Sequence, residues 1–423
     1  MAKILMSFVG TGRLLSNNKN WQSVLASARQ YRTTRYHLGD EDLGEYPFVV
    51  AALTHHHAVD KVILIGTAHS MWEEVYRYFS EKNGMAVDDN VYFDLAQYCG
   101  EASEKSELVL PHKEEIEKVL GSGSQAMLIR YGLNDEEITE NIGIVLGLND
   151  LINTGDEIIV DVTHAFRSLP IFIMNLLLYL TNVSNKKPKI SHIYYGMLEM
   201  LQTFAYAPIV DLKKILEINK WIVGASAFKN YGNAYHISEL LSGVDSNLGN
   251  RLKRFSDLLN LNHLDKIEKE VEALKAIKNK KYDSMLSELT VKPVINDFLK
   301  DFGTIKDNHA LFQYNLAKWQ FKNMNYALSL MSLSEAIITH ACILEHKDWS
   351  DYDVRNEMKK SNNIKKSKLE KEMVNWYFRI REHRNSVAHS LKEYYSPNKI
   401  IDDLRSALNV AGKYIKCKPS TTF

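Results

Sequence analysis

The sequence predicts a doubly wound α/β domain with a mostly parallel sheet, followed by a region built only of helices. Short apolar runs, typical of strands buried on both faces, alternate with amphipathic stretches over residues 1–211. From about residue 212 the strand pattern stops, and helical spacing of apolar residues continues toward the C-terminus. Strands that alternate with helices indicate a parallel sheet with helices on both faces.

The α/β half begins with the apolar run Lys3–Val9, which we predict to be a strand. Residues 31–38 predict a second strand, and residues 39–42 an acidic turn. A helix over residues 46–59 carries three consecutive histidines, which point in three directions and indicate a solvated helix end rather than a metal site. The other predicted strands here are residues 61–67, 125–131, 157–163, 190–195 and 203–206, and the other helices follow Trp72 and cover residues 135–152 and 170–180.

The helical half contains an amphipathic helix in which Leu264, Ile267, Val271 and Leu274 recur at spacings of three and four. The lysine-rich residues 356–367 predict a mobile loop. The other predicted helices are residues 215–228, 234–241, 311–317, 324–344 and 369–384, and a last helix that begins at Pro397 and ends near Lys416. These changes of pattern divide the chain into three domains, residues 1–211, 212–300 and 301–423.

Length and composition are those of an ordinary soluble protein of two or three domains, with 423 residues, 45% hydrophobic and 25% charged. The three cysteines are far apart and match no zinc or redox spacing, which fits a reducing cytoplasm. The apolar run at residues 171–180 is too short to span a bilayer, so we expect no membrane role. Residues 301–423 hold 20 Lys and Arg against 14 Asp and Glu, which mildly favours a polyanionic partner there.

Three predicted strands end in small, hydroxyl-bearing or cationic residues. Because the carboxyl ends of parallel strands meet at one edge of a doubly wound sheet, we expect these residues to line one ligand pocket. Asp161 has an alternative role as a helix cap or structural hydrogen-bond partner. The candidate ligand-binding residues are Gly10, Thr11, Gly12, Thr67, His69, Ser70, Asp161, Thr163, His164 and Arg167.

The C-terminal half carries one compact Arg/Asn/His group, at Arg384, Asn385 and His389. Histidine exchanges a proton near neutral pH, and arginine stabilises a phosphate that gains negative charge. Asn385 and His389 share a helix face, whereas the positions of Arg384 and His389 are roughly 140° apart around the helix axis. Arg384 and His389 meet on one phosphate if the helix ends between them or if a second copy of the chain supplies the other half. A solvated helix end with ordinary charges is the alternative.

The stretch Asp161-Val162-Thr163-His164-Ala165-Phe166-Arg167-Ser168-Leu169-Pro170 resembles the hallmark of CARF domains in CRISPR-associated proteins. Residues 4–12 and 62–72 resemble the same family's first strand and its Gly-Thr-x-x-Ser-Met-Trp turn. The Arg-Asn-x-x-x-His pattern at residues 384–389 resembles the motif of HEPN ribonucleases. Together these matches resemble the CARF–HEPN ribonucleases of type III CRISPR systems, in the expected order along the chain.

This resemblance implies a Rossmann-like CARF domain that senses a cyclic oligoadenylate, joined to a HEPN helical domain that cuts RNA without a metal or other cofactor. It favours cyclic tetra-adenylate over cyclic hexa-adenylate as the activator, and a homodimer or higher homo-oligomer as the assembly. In such an enzyme His389 transfers a proton, as base or as acid, Arg384 stabilises the charged intermediate, and Asn385 orients the phosphate or a neighbouring side chain.

Three other functions stay open at this stage. A transcriptional regulator would pair the sensor with a DNA-binding helix-turn-helix, but no such motif is clear, and the Arg384 group would be unexplained. A ring nuclease would cut its own cyclic ligand in the sensor pocket. A nucleotide-dependent oxidoreductase is weakened because Leu15 stands where the dinucleotide fingerprint requires a third glycine.

Overall fold

The computed structural model describes residues 1–14, 29–164, 169–277, 281–282, 284–302, 308–389 and 395–416. The chain forms two compact units, Met1–Glu217 and Ile218–Phe423. The first unit is the predicted α/β domain, and the described residues of the second unit contain helices but no strand. The predicted fold class is therefore confirmed.

The described part of the first unit has one eight-stranded sheet, in the order β3-β2-β8-β7-β6-β1-β4-β5. Its strands are β1 Lys3–Val9, β2 Thr34–Leu38, β3 Glu41–Tyr46, β4 Lys61–Gly66, β5 Gln125–Leu128, β6 Glu157–Asp161, β7 Lys189–Gly196 and β8 Ala207–Asp211. Strands β7, β6, β1, β4 and β5 pair in parallel, as do β2 and β8. Only the β2–β3 and β7–β8 pairs of this sheet are antiparallel.

Alternate side chains of the central strands pack on opposite faces of the sheet, because successive side chains of a strand point in opposite directions. Along β1, Leu5 joins one hydrophobic cluster, whereas Ile4 and Met6 join the cluster on the other face. The clusters are completed by helices of this unit. These are α1 Val49–His57, α2 Trp72–Lys82, α3 Asp89–Glu101, α4 Lys113–Leu120, α5 Asp135–Gly147, α6 Leu169–Asn182 and α7 Leu201–Phe204, with two short 3-10 turns at Leu148–Leu151 and Leu198–Met200.

Two details of the predicted sheet are wrong. The residues interpreted as an acidic turn and a helix start include β3, which pairs antiparallel with β2 at the sheet edge. Its side chains are exposed or half-buried, so they lack the apolar alternation of a buried strand. The predicted strand at residues 203–206 is also wrong, because α7 runs through Phe204 and the last strand is β8.

The second unit continues from a helix that crosses the boundary between the units. Its helices are α8 Lys214–Tyr231, α9 Tyr235–Leu241, α10 Ser246–Asn260, α11 Leu264–Ile277, α12 Met285–Lys300, α13 His309–Lys322, α14 Tyr326–Leu344, α15 Tyr352–Met358, α16 Ser361–Lys366, α17 Lys371–His389 and α18 Pro397–Ile415. The loop predicted at residues 356–367 is wrong, because α15 and α16 cover most of it. The buried side chains of Met358 and Ile364 anchor these two short helices.

Helix α13 joins two hydrophobic cores in this unit. Phe312, Leu316 and Trp319, spaced by four and three residues, pack with helices from residues 221 to 302. Ala310 and Tyr314 lie on the other side of the helix and pack with α14, α17 and α18. The proposed subdivision of this half at residue 300 stays a prediction.

Helix α14 is long and apolar enough to cross a membrane by length and composition. In the folded unit 67% of its most apolar window is buried, including Leu330, Ile337 and Ala341. Burial on this scale is typical of the central helix of a soluble protein.

Candidate functional site

The three strand ends predicted to bind ligand lie side by side. Strands β6, β1 and β4 are adjacent and parallel, so their carboxyl ends meet at one edge of the sheet. The Ser70 hydroxyl donates to the Val9 carbonyl at 2.6 Å, and the Met71 amide donates to the Gly10 carbonyl at 2.9 Å. A side chain at Gly10 would come within 3.3 Å of the His164 Cβ atom. The three segments are therefore in direct contact.

Thr67 and Ser70 hold the turn after β4 in place. The Thr67 amide donates to the Ser70 hydroxyl oxygen at 3.0 Å, and the Trp72 indole donates to the Thr67 carbonyl at 2.9 Å. Both side chains are buried, and Ser70 is 0% exposed. Their observed hydrogen bonds shape the edge of the sheet, and direct ligand contact by either side chain stays a prediction.

Asp161 has the structural role that the sequence left open. Its carboxylate, 0% exposed, accepts hydrogen bonds from the Ser7 hydroxyl at 2.6 Å and from the Thr163 hydroxyl at 2.5 Å. The Thr163 oxygen in turn accepts from the Gly196 amide at 2.7 Å. Asp161 and Thr163 therefore connect the carboxyl ends of β1, β6 and β7.

His164 lies between this edge and the N-terminus of α1. The amide of Val49, the first residue of α1, donates to the His164 Nε2 atom in a long hydrogen bond of 3.4 Å. Because Nε2 accepts, the proton of the neutral imidazole belongs on Nδ1. Burial lowers the pKa of His164, although Asp161 acts in the opposite direction. His164 is therefore suited to donate a hydrogen bond to a ligand as a neutral ring.

Thr11, Gly12 and His69 are the predicted ligand residues that are clearly exposed at this edge. Gly12 adopts φ +66°, and a side chain there would come within 2.5 Å of the Tyr31 ring, so glycine is required. Arg167 lies outside the described residues and stays a prediction.

A buried carboxylate behind this edge was missed from the sequence. Glu73, at the start of α2, is 0% exposed and forms an ion pair with Arg29 at 2.9 Å. The Tyr31 hydroxyl also donates to Glu73, and burial raises the pKa of that phenol. An isolated Leu14–Tyr31 bridge and a hydrogen bond from the Arg32 amide to the Arg13 carbonyl join the two ends of this segment. Glu73 thus holds the chain after residue 28, and the contacts of Tyr31 and Arg32 tie that part to residues 13 and 14.

In the second unit, the predicted catalytic residues lie on one uninterrupted helix. Helix α17 runs through Arg384 and Asn385 and ends at His389. The Arg384 guanidinium is half-buried and donates to the Asn385 side-chain oxygen at 3.0 Å and 3.3 Å. Because the helix does not end between Arg384 and His389, their positions remain roughly 140° apart around its axis. Asn385 therefore holds the guanidinium, and its catalytic role stays a prediction.

His383, directly before Arg384, is a neighbouring group that had no predicted role. Its ring is 0% exposed, and its Nε2 atom lies 2.9 Å from an Asp403 oxygen. Its Nδ1 atom has no hydrogen-bond partner among the residues that the structure describes. Burial alone would raise the pKa of Asp403, but hydrogen bonds from His383, Lys399 and Arg379 lower it below its ordinary value. The buried His383–Asp403 pair fixes the rotation of α17 against α18, and therefore the direction of Arg384.

A second ionic cluster supports α17 from the other side. Glu335 of α14 binds Arg355 at 2.5 Å and Lys359 at 2.8 Å. The Lys359 carbonyl accepts a hydrogen bond from Arg381 at 3.1 Å, one helical turn before Arg384. Among the described residues, no group of three or more His, Cys, Asp or Glu side chains is placed to hold a metal ion.

Comparison with known protein families gives two matches in the first three quarters of the chain. Residues 4–199 match the family described as the CARF domain of the CRISPR system endoribonuclease Csx1. Residues 217–308 match the family described as the second domain of the CRISPR-associated protein MJ1674. The first match covers the whole strand-end edge described above.

One curated relative is similar along most of the chain. The CRISPR-associated protein MJ1674 of Methanocaldococcus jannaschii is 34% identical over 409 aligned residues, which include 92% of this chain. The chain spans 62% of the length of that relative.

Proposed function

The chain is a CRISPR-associated CARF-domain protein, and we propose that it is a metal-independent endoribonuclease activated by a cyclic oligoadenylate. The observation that carries this proposal is the presence, in one chain, of a CARF domain and of a helix whose sequence contains Arg384, Asn385 and His389. The description of the matching CARF family, which names an endoribonuclease, supports it. The proposed setting is cytoplasmic antiviral defence by a type III CRISPR system.

The proposed sensor site is the edge formed by the ends of β6, β1 and β4. Thr11 and His69 are exposed there, and His164 offers an N–H from a neutral ring. A cyclic oligoadenylate is symmetric and polyanionic, so one ring contacts two copies of this edge across a two-fold axis. Cyclic tetra-adenylate is favoured over cyclic hexa-adenylate on family resemblance alone.

The proposed reaction is cleavage of single-stranded RNA by its own 2′-hydroxyl. The 2′-oxygen attacks the adjacent phosphorus as it loses its proton, and the bond from phosphorus to the 5′-oxygen breaks as that oxygen gains one. His389 carries out one of these two proton transfers. Arg384, held by Asn385, stabilises the negative charge that develops on the phosphate oxygens. The products carry a 2′,3′-cyclic phosphate and a 5′-hydroxyl end.

The direct test is cleavage of a labelled single-stranded RNA by the purified protein with and without cyclic tetra-adenylate, in excess EDTA. We expect cleavage that depends on the cyclic ligand and persists in EDTA, because the proposed groups require no cation. The same sequence made as DNA should resist cleavage, since it has no 2′-hydroxyl. Activity lost in EDTA and restored by a divalent ion would contradict the mechanism.

Two neighbouring residues of the sensor edge should respond differently to substitution. His69→Ala removes an exposed side chain, so we expect cyclic tetra-adenylate binding to weaken by roughly 3- to 10-fold with thermal stability unchanged. Ser70→Ala leaves the Thr67 amide and the Val9 carbonyl without their buried partner, which should lower the free energy of unfolding by about 1–3 kcal/mol. Calorimetric binding and thermal melts of both variants measure the difference. Unchanged affinity in His69→Ala would remove that residue from the site.

A further inference from the structure

The second unit contains a large cleft that the proposed reaction does not use. Its volume is about 880 Å³, which falls in the range of small-molecule sites. One wall is the start of α11, another is the first turns of α13, and the third is formed by α14 and the segment that leads into α15. The cleft therefore lies where the matched second domain, which ends at residue 308, meets the helices that follow.

An aromatic pair forms one wall of the cleft. The His309 ring lies against the Trp349 indole with centroids 4.0 Å apart and an angle of 33° between the planes. The His309 Nδ1 atom is 2.9 Å from a Glu268 carboxylate oxygen, which fixes the imidazole. Both rings are half-buried. A half-exposed, oriented indole is a surface on which a planar base stacks well.

The polar groups around this wall are mostly fixed by bonds within the protein. Arg355 donates to the Trp349 carbonyl and to the Thr339 hydroxyl, both at 2.9 Å, and Thr339 donates to Gln313 at 2.8 Å. Glu335 is neutralised by Arg355 and Lys359. Glu268 and Glu335 thus have internal partners, and the charge of Glu335 is offset by two fixed cations.

The lining is mixed in charge and polarity. Lys269 and Asp265 are exposed on the α11 wall, and the Asn262 side-chain oxygen accepts from Ser332 at 3.0 Å. A lipid or another apolar ligand would cover the exposed Lys269 and Asp265 side chains without bonding to them, at a cost in free energy. A nucleotide supplies a flat ring for Trp349, polar ring edges for the amides and a phosphate for Lys269.

The cleft wall is also connected to α17, the helix that carries Arg384. Arg355 and Lys359 share Glu335, and the Lys359 carbonyl accepts from Arg381 on α17. A ligand that contacts Trp349 and Arg355 is therefore only two ionic contacts and one hydrogen bond away from the helix that carries Arg384.

We propose that this cleft binds one nucleobase of the RNA substrate, stacked on the Trp349–His309 pair, and so positions the strand for cleavage. The inference rests on the proposed ribonuclease function, since it assigns a specificity site to that reaction. Trp349 is the specificity-determining residue, and His309 holds its ring in place.

The test uses short single-stranded RNAs with 2′-fluoro riboses, which have no attacking hydroxyl, and with 2-aminopurine at one position at a time. Stacking quenches 2-aminopurine, so one position should lose fluorescence on binding. Trp349→Ala should abolish that quench and weaken affinity by roughly 5- to 150-fold, the range for loss of one base stack. Trp349→Phe, which keeps a ring, should retain most of both.

The matched control is Tyr352→Ala, which removes a 77% exposed aromatic ring three residues further along the chain. This variant should bind RNA as the wild type does. Thermal melts identify any variant that has lost its fold, and His309→Ala then serves as the second probe of the wall. Equal RNA affinity of wild type and Trp349→Ala would overturn the proposal, as would an equal loss in Tyr352→Ala.

Ribonuclease activity and base binding in the cleft can be tested separately. If RNA binding depends on Trp349 but natural RNA is not cleaved, the ribonuclease proposal is refuted and the proposal of a base-binding cleft stands. If natural RNA is cleaved but RNA affinity does not depend on Trp349, the proposal of a base-binding cleft is refuted and the ribonuclease proposal stands.

Discussion

Replacing His389 by alanine should lower ligand-activated RNA cleavage by roughly 10²- to 10⁴-fold, the usual contribution of a positioned proton-transfer group. Arg384→Ala should cost roughly 10²- to 10³-fold, because the charge developing on the phosphate then has no guanidinium beside it. Cyclic tetra-adenylate binding should stay unchanged in both variants, since the sensor edge belongs to the other unit. Single-turnover cleavage of a labelled RNA measures the first effect, and calorimetric titration the second.

Arg405→Ala is the matched control for the arginine substitution. Arg405 lies on α18, is mostly exposed, and pairs with Asp402 at 2.7 Å. An exposed pair of this kind contributes little to stability, so cleavage should be unaffected. Full cleavage by His389→Ala would rule out the proposed active site. Equal losses of cleavage in Arg384→Ala and Arg405→Ala would show that only the overall positive charge of this unit matters.

The central sheet could be predicted because its strands are buried on both faces. Lys3–Val9 is apolar almost throughout and lies inside the sheet, between β6 and β4, with six buried residues. The edge strand Glu41–Tyr46 has no such signal, since it is half in water and its residues are those of a turn. Residues 356–367 read as a loop because only two apolar side chains, Met358 and Ile364, pack their short helices into the core.

The candidate site was predictable in location and less so in the roles of its residues. Polar residues at strand ends indicate a ligand edge, but the sequence cannot tell a hydroxyl that faces a ligand from one that bonds the next strand. Ser70 and Asp161 show the second behaviour, through Val9 and Ser7. The His383–Asp403 pair was unpredictable because its members are 20 residues apart on two helices, and only tertiary packing brings them together.

The geometry of α17 leads to an expectation about assembly. Arg384 and His389 lie five residues apart on one continuous helix, so their positions are roughly 140° apart around its axis. One phosphate is contacted by both residue types most simply when two copies of the helix face each other across a two-fold axis. The proposed activator is cyclic and symmetric, which independently favours a two-fold dimer of the sensor unit. We therefore expect a dimer in which one ribonuclease site needs both motifs intact.

Co-expression of wild type with His389→Ala, each with its own tag, tests this composite site. If one site needs both copies, an equimolar mixture contains about one quarter intact homodimers by random pairing, so activity should fall to about one quarter. Independent sites would give about one half, in proportion to the wild-type fraction. The purified two-tag heterodimer should be nearly inactive, although it still binds cyclic tetra-adenylate. A heterodimer with half of the wild-type rate would contradict a single site that needs both motifs. A fully active monomer at low nanomolar concentration would show that each chain forms its own site.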